Sequence, residues 1–392
     1  MSGTLLIVGG GANASADEIF SKLIEKAGGP NSKIAFIVTA SGEGPDELFR
    51  SYEEDLYRLG LKRGHCVLVP IYAQHCVDKR GYNAMTGDCE GLCDYLDGVT
   101  GVWFTGGDQY FTWQCLIRKD GSDTALLARL RKLYEDGGVI GGSSAGAAIM
   151  SRVMICNGTN RSIFWKDTVF GYDDYDAIAE EDDSCSELII SQGLGFYPHG
   201  IVDQHFNTRP RLLRTIETCM INKENTRVAF AVSEDTAMVY HEGRFDVIGS
   251  AGVYVIDCRN AVRTAPGCYK GVVLHAVHRG ESFDPVGMKA FLAGNIVNEE
   301  SYATPDYISG GIIDNPMFDQ MMDRRVLRGR RDSLYFDEEK QLPYAKGAAA
   351  YDIHGKTAFV SLKYYRRPDT EGIRNVHTSF TNVEVDIDST VF

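Results

Sequence analysis

Seven small residues, Gly141-Gly142-Ser143-Ser144-Ala145-Gly146-Ala147, separate the apolar run Gly138-Val139-Ile140 from Ala148-Ile149-Met150. Apolar strand, tight small-residue turn and helix start follow one another, and Gly142-x-Ser144-x-Gly146 fills the G-x-S-x-G pattern of a nucleophile elbow. The glycines permit strained backbone angles and a close strand–helix approach. Ser144 then stands at the tip of the turn, and the Ala145 amide points toward the space where an oxyanion forms. A tightly packed turn without chemistry has the same pattern, so the partners of Ser144 must decide between the two.

The rest of the chain supplies a frame for such a turn. Apolar runs at 4–8, 33–38, 66–71 and 99–104 read as strands, with helices expected from about 15, over 45–59, near 90–96 and over 122–135. Alternation with short connections predicts an α/β fold with a doubly wound, mostly parallel sheet. Ligands in such sheets sit beyond the carboxyl ends of the strands. The turns Thr105-Gly106-Gly107-Asp108-Gln109 and 141–147 both fall there. Runs at 228–232, 236–240, 244–257 and 270–278 predict antiparallel strands at the end of that sheet. Past about 285 the character changes. A helix near 314–327 with a basic end and strand-like runs at 357–365 and 378–385 read as an α+β accessory segment, 286–392, packed on the core or at a subunit interface. The catalytic unit is expected within 1–285.

Charge and composition exclude several classes. A net charge of −14 disfavours nucleic acid and anionic membranes as partners. No apolar run reaches the roughly 18 residues of a membrane span. Residues 1–10 read as a first strand and not as a secretion signal, and ten scattered cysteines suit reduced thiols, so a cytoplasmic protein is expected. Cys89 and Cys93 lack a second Cys/His pair at zinc spacing, so no metal is expected. Gly9-Gly10-Gly11 resembles a phosphate loop, but position 14 is Ala and no acidic residue ends the second strand, so no nucleotide cofactor is expected either. The acidic stretch from Asp173 to Asp183 reads as a solvated loop.

A serine nucleophile needs a base, a group that orients the base and an oxyanion hole. Among nine histidines His205 is the best placed, downstream of the turn at the end of a short strand within 193–206 that closes in Asp203-Gln204-His205. Glu234 and Asp235, in the tight turn after the next strand, are the candidate orienting carboxylates, while Asp203, two residues before His205 on the same face of the strand, is placed to line the pocket without orienting the far nitrogen.

Taken together, Thr105–Gln109, Ser143–Ala147, Asp203-Gln204-His205-Phe206 with Arg209, Arg211 and Arg214, and Ser233-Glu234-Asp235-Thr236-Ala237 resemble the cyanophycinase family. These are serine exopeptidases grouped with aspartyl dipeptidase (peptidase E). The likeness covers about 1–285. It implies a fold like the class I glutamine amidotransferases (flavodoxin-like), a homodimer, no metal, and hydrolysis of cyanophycin, a poly-aspartate with arginine on each β-carboxyl, to β-aspartyl-arginine. It further implies Ser144 as nucleophile, His205 as base, Glu234 as orienting carboxylate and the Gly107 and Ala145 amides as oxyanion hole. Gln109, Asp203, Gln204, Arg209, Arg211 and Arg214 match the family's substrate pocket. Their types agree: arginine forks suit α-carboxylates, and Asp203 with the amides of Gln109 and Gln204 suits a guanidinium. The stretch from Ser144 to His205 is longer than the family's, and 286–392 has no counterpart in its short members.

Three alternatives compete. One is a peptidase of the same family acting on short aspartyl peptides. Another is an α/β-hydrolase esterase, whose order Ser, acid, His would recruit His275 or His278 and leave His205 idle. The last is a silent binding protein on the same scaffold.

Overall fold

The structure, a computed structural model, describes residues 3–41, 45–72, 86–165, 167–171, 187–209, 211–293, 295–296, 335–353, 356–374 and 378–391. The acidic stretch and the helix expected near 314–327 lie outside them.

The first half alternates as expected: β1 (Thr4–Val8), α1 (Ala16–Lys26), β2 (Ile34–Ile37), α2 (Pro45–Arg58), β3 (Cys66–Leu68), a single 3-10 turn at Leu92–Leu96, then β4 (Gly101–Phe104). After β4 come α3 (Gln109–Leu116), α4 (Ala125–Glu135), β5 (Val139–Ser143) and the short α5 (Ala145–Ala148). Helix α3 was not foreseen. Its signal is Asp108, whose carboxylate caps the helix by accepting from the Tyr110 amide at 2.8 Å. Beyond α5 follow β6 (Val153–Asn157), α6 (Ser162–Trp165), β7 (Val169–Phe170), β8 (Ile189–Gln192), β9 (Ile201–Asp203) and α7 (Leu212–Ile221). Then come β10 (Val228–Val232), β11 (Thr236–His241), β12 (Arg244–Gly249), β13 (Gly252–Asp257), β14 (Val262–Ala265), β15 (Cys268–His278), β16 (Ser282–Asp284) and β17 (Lys289–Phe291). The chain closes with β18 (Asn295–Ile296), β19 (Tyr335–Asp337), β20 (Leu342–Ile353), β21 (Lys356–Arg374) and β22 (Thr378–Val391).

Among the described residues nine strands form one large sheet in the order β17-β16-β12-β11-β1-β5-β4-β2-β3. Its half from β1 to β3 is parallel, and β11, β12, β16 and β17 extend it antiparallel. The expected single sheet is corrected in one respect. Strands β9, β10, β13 and β15 leave it and form a second sheet, continued by β22, β21, β20 and β19. The cause is visible in the alternation of side chains. On β10, Val228, Phe230 and Val232 face the first sheet, while Ala229 and Ala231 face the other way. Strand β13 does the same with Val253 and Val255 against Tyr254 and Ile256. Strands apolar on both faces belong inside a stack of layers and not at the end of one sheet. β22 pairs with β15, so residues beyond 285 share a sheet with residues before it.

The first sheet is covered on both faces. Leu6, Val8, Phe36 and Trp103 pack on Ile19, Phe20 and Leu23 of α1 and on Leu56 of α2. Leu5, Ile7, Val102 and Ile140 face α4, α5 and the second sheet. Phe230 bridges the two sheets, its ring 5.1 Å from Tyr197, 5.9 Å from Phe245 and 6.5 Å from Phe283. No helix among the described residues is long and apolar enough to cross a membrane. Among the described residues seven cysteines stand outside any disulfide, but Cys89 is disulfide-bonded, which departs from the reduced set expected.

Phe230→Ala removes an aromatic contact between the sheets. It should cost about 3–5 kcal/mol, read as a lower urea midpoint. A change under about 1 kcal/mol would mean that the sheets are not coupled through this ring.

Candidate active site

The turn after β5 adopts the strained shape that its sequence suggested. Ser144 sits at φ 55 and ψ −111, outside the regions open to most side chains. Its amide donates to the Val8 carbonyl at 3.0 Å, which ties the turn to the end of β1. Both glycines of the motif are required by space. A Cβ on Gly142 would stand 2.4 Å from the Gly146 carbonyl oxygen, and one on Gly146 would stand 2.4 Å from that of Phe104. Gly106, in the turn after β4, lies against Ser144, with its virtual Cβ 3.4 Å from the serine Cβ. Gly107, at φ 131, would drive a Cβ to 1.9 Å from the Ala40 carbonyl, so only glycine fits.

Ser144 comes from the first sheet, while its hydrogen-bonded partners come from the second. His205 follows β9 and Glu234 follows β10, and these two strands run parallel side by side. Their carboxyl ends therefore meet. Ser144 Oγ and His205 Nε2 are 2.7 Å apart, and His205 Nδ1 is 2.5 Å from Glu234 Oε1. Burial alone would raise the Glu234 carboxyl. The bonds from His205 and Thr208 and the nearby charge of Arg209 outweigh it and hold the group below the ordinary carboxylate range. Glu234 is thus ionised at neutral pH and accepts the Nδ1 proton, which leaves Nε2 to accept the hydroxyl of Ser144. Burial pushes the His205 imidazole below its ordinary 6.5; the Glu234 bond opposes this, and Arg209 and Arg211 reinforce it. The ring is therefore neutral at pH 7 and fit to take a proton.

Residues that were not foreseen hold this chain of bonds. Thr208 donates its hydroxyl to Glu234 Oε1 at 2.9 Å, and Asn207 Oδ1 accepts from the Glu234 amide at 2.7 Å. Gly9, Gly10 and Gly11 form no phosphate cradle. The His205 amide donates to the Gly9 carbonyl at 2.7 Å. A Cβ on Gly10 would stand 2.3 Å from His205 Cε1, and one on Gly11 would stand 3.0 Å from Glu234 Oε2. Three glycines after the first strand were the available signal, and they answer to a ring and a carboxylate.

The expected pocket residues divide. Asp203 and Arg214 are buried and bonded to each other. Asp203 is fully buried and Arg214 is 3% exposed. Arg214 Nε donates to Asp203 Oδ2 at 3.1 Å, and its Nη2 donates to Oδ1. Thr215 and the Gln204 amide fill the remaining positions on the carboxylate, and Arg214 Nη1 donates to the Gly158 carbonyl. Burial would raise the Asp203 carboxyl, yet Arg214 and Arg211 keep it ionised. Arg211 is also buried and donates to the Gln204 carbonyl at 2.6 Å. Gln109 spends its amide N–H groups on the carbonyls of Ile155 and Cys156. Arg209 and Gln204 differ from these. Arg209 is exposed, and its guanidinium shows no hydrogen bond or ion pair among the described residues. Gln204 is 5% exposed, and its Oε1 has no partner among them. The helix expected to carry all three arginines begins after Arg211, which stands at its N-cap, with Arg209 before it. His275 and His278 lie on β15, where His278 Nδ1 is 3.1 Å from the Ser379 hydroxyl and His275 Nδ1 is 3.5 Å from the Asn382 amide. Neither joins Ser144.

Asp203→Asn breaks a buried pair and leaves the charges of Arg214 and Arg211 uncompensated. It should cost about 3–5 kcal/mol of stability, whereas Arg209→Ala should leave the unfolding midpoint unchanged. Equal, small effects in chemical denaturation would return Asp203 to the substrate pocket.

The comparisons agree in kind with this geometry. The family model described as Peptidase family S51 matches residues 5–248. A cyanophycinase from Synechococcus elongatus is 28% identical over 265 residues, which is 67% of this chain and 70% of that protein. One from Thermosynechococcus vestitus has the same identity over the same shares. Another, from Geminocystis herdmanii, is 28% identical over 257 residues, 65% of this chain and 80% of its own. Over well more than half its length, from β1 through most of β12 and with all the residues of the hydrogen-bonded chain included, this protein belongs to peptidase family S51 and is a hydrolase.

Proposed function

We propose that this peptidase is a serine-type exopeptidase that hydrolyses cyanophycin to β-aspartyl-arginine. The observation that carries the serine assignment is the continuous chain Ser144–His205–Glu234, bonded at 2.7 and 2.5 Å, with the serine held at a strained turn. The substrate assignment is supported by the names of the relatives and by the matched motifs. In this reading Ser144 Oγ attacks a backbone carbonyl of the poly-aspartate. Its proton passes to His205 Nε2, and the oxyanion rests on the amides of Gly107 and Ala145. Collapse of the tetrahedral adduct breaks the C–N bond. His205 returns the proton to the departing amine, and water then clears the acyl-enzyme by the same route. Glu234 holds the ring in the required tautomer throughout.

The pocket is assigned more narrowly than the sequence suggested. Arg209, with its fork unspent, receives an α-carboxylate of the substrate. Gln204, through its unpartnered Oε1, receives the guanidinium. Asp203, Arg211 and Arg214 support this floor from behind. The catalytic unit is assigned to 1–285, with 286–392 hydrogen-bonded to it through β22. A homodimer is part of the same proposal.

Mass spectrometry of products from cyanophycin tests the substrate. Wild type should release β-aspartyl-arginine, and Ser144→Ala should lose activity by roughly 10³-fold or more. Cleavage of short aspartyl peptides with no release from cyanophycin would favour the aspartyl-dipeptidase reading.

The pH dependence has a defined sign. Activity requires neutral His205, whose pKa lies below 6.5, so kcat/KM should rise with pH along an acid limb centred below that value. Removing the nearby positive charge favours the imidazolium. Arg209→Gln should therefore move the limb to higher pH while raising KM. A limb that stays in place or moves lower would show that Arg209 does not act on His205.

A further inference from the structure

Asp235, the residue after Glu234, was one of the candidate carboxylates for orienting His205, and the structure turns it elsewhere. It sits at φ 54 in the turn between β10 and β11. Its Oδ1 accepts from the amides of Asn13 and Ser15, each at 2.9 Å, and its Oδ2 accepts from the Ser15 hydroxyl at 3.0 Å. Its own amide donates to the Gly10 carbonyl at 2.8 Å. One residue therefore staples both ends of the segment 10–15, which runs from the end of β1 to the start of α1. Ser15 is the N-cap residue of α1, yet its hydroxyl is committed to Asp235 and makes no cap bond. On its near side the same segment presses on the hydrogen-bonded chain: Gly10 lies against the His205 ring, too close for a Cβ, and Gly11 lies against the Glu234 carboxylate, where a Cβ would stand 3.0 Å from Oε2.

We propose that Asp235 is a positioning residue: by clamping the segment Gly10–Ser15 against His205 and Glu234, it holds the imidazole in line between the carboxylate and Ser144 and keeps water from its edge. The inference rests on the serine-hydrolase reading above. Adjacency explains how it works. Glu234 and Asp235 are consecutive in one tight turn, so the carboxylate that orients the base and the carboxylate that holds the covering segment move together. The clamp is charged, because bonds from Ser15, Ser250 and Asn13 outweigh burial and keep Asp235 below the ordinary carboxylate range.

The test reads Ser144 directly and needs no knowledge of the substrate. The rate at which a fluorophosphonate labels Ser144 is measured against pH for the full chain and for Asp235→Asn. The variant should label about tenfold or more slowly, a part of what complete loss of a general base costs. Its acid limb should move to higher pH, because a loosened segment admits water to His205 and relieves the burial that lowers its pKa. The charged groups acting on that ring, Glu234, Arg209 and Arg211, are untouched by the substitution. A merely structural role would leave a smaller labelled fraction at unchanged rate and limb, and that result overturns the proposal. If Asp235→Asn does not fold, Ser15→Ala, which removes one donor of the clamp, should slow labelling about twofold to threefold with a limb shift of the same sign. An unchanged rate and limb in that variant overturns the proposal as well. Failure of the wild type to label would overturn the serine-hydrolase reading itself, and the inference with it, so the two failures are distinct.

Discussion

The hydrogen bond from the His205 amide to the Gly9 carbonyl, 2.7 Å long, joins the carboxyl end of a strand in one sheet to that of a strand in the other. Much of the site depends on this seam. Ser144 belongs to the first sheet, and His205 and Glu234 belong to the second. Their mutual distances are set by how the two sheets stack and not by any one loop. Packing through Phe230 fixes the stacking from within, and the Gly9 carbonyl fixes it at the site. Such a seam leaves little room for side chains: a Cβ would meet the Ser233 backbone at position 9, the His205 ring at 10 and the Glu234 carboxylate at 11.

Charge at the site is arranged in two shells with different tasks. The inner carboxylate, Glu234, is partly exposed and touches the imidazole. The outer ion pair, Asp203 with Arg214, is sealed and touches only the protein. A sealed ion pair contributes little net stability, because desolvation offsets attraction. It contributes geometry instead. Asp203 stands two residues before His205, and Arg214 ties it to the Gly158 carbonyl beyond β6. The strand that delivers the imidazole is thereby braced from below. Nearby, Arg209 and Arg211 oppose a charge on His205, so the base stays neutral beside an ionised carboxylate.

Much of the fold was legible because the early strands carry an apolar period and glycine-rich ends, and their boundaries fell within a residue or three of expectation. Three things escaped. Helix α3 is short and begins with a cap that follows two glycines, where a loop was the natural reading. Strands β6 and β8 lie in a stretch whose sequence mixes polar and apolar residues, and they find their pairing partner 32 or more positions away. The separation into two sheets is invisible along the chain, since β10 and β11 are joined by three residues and look like one hairpin. Their side chains face different layers, and only the stacking reveals it.

For the site, the sequence by itself determined which residues are able to react: a serine in a small-residue turn, a histidine after a strand and acids in the next turn. Residue type and local spacing carry that chemistry, because nucleophile, base and carboxylate are properties of side chains. The tertiary structure alone decided what each acid touches. Local spacing left Glu234 and Asp235 side by side in one turn and put Asp203 beside His205, and only the resemblance singled out Glu234. Burial with two arginines closed the first, a parallel strand pair aimed the second at the imidazole, and a backbone at φ 54 turned the third toward Asn13 and Ser15. Those outcomes depend on partners more than two hundred positions away for Asp235, on a neighbouring strand for Glu234 and on the fold-back of the following helix for Asp203, and no local pattern in the chain encodes such placements.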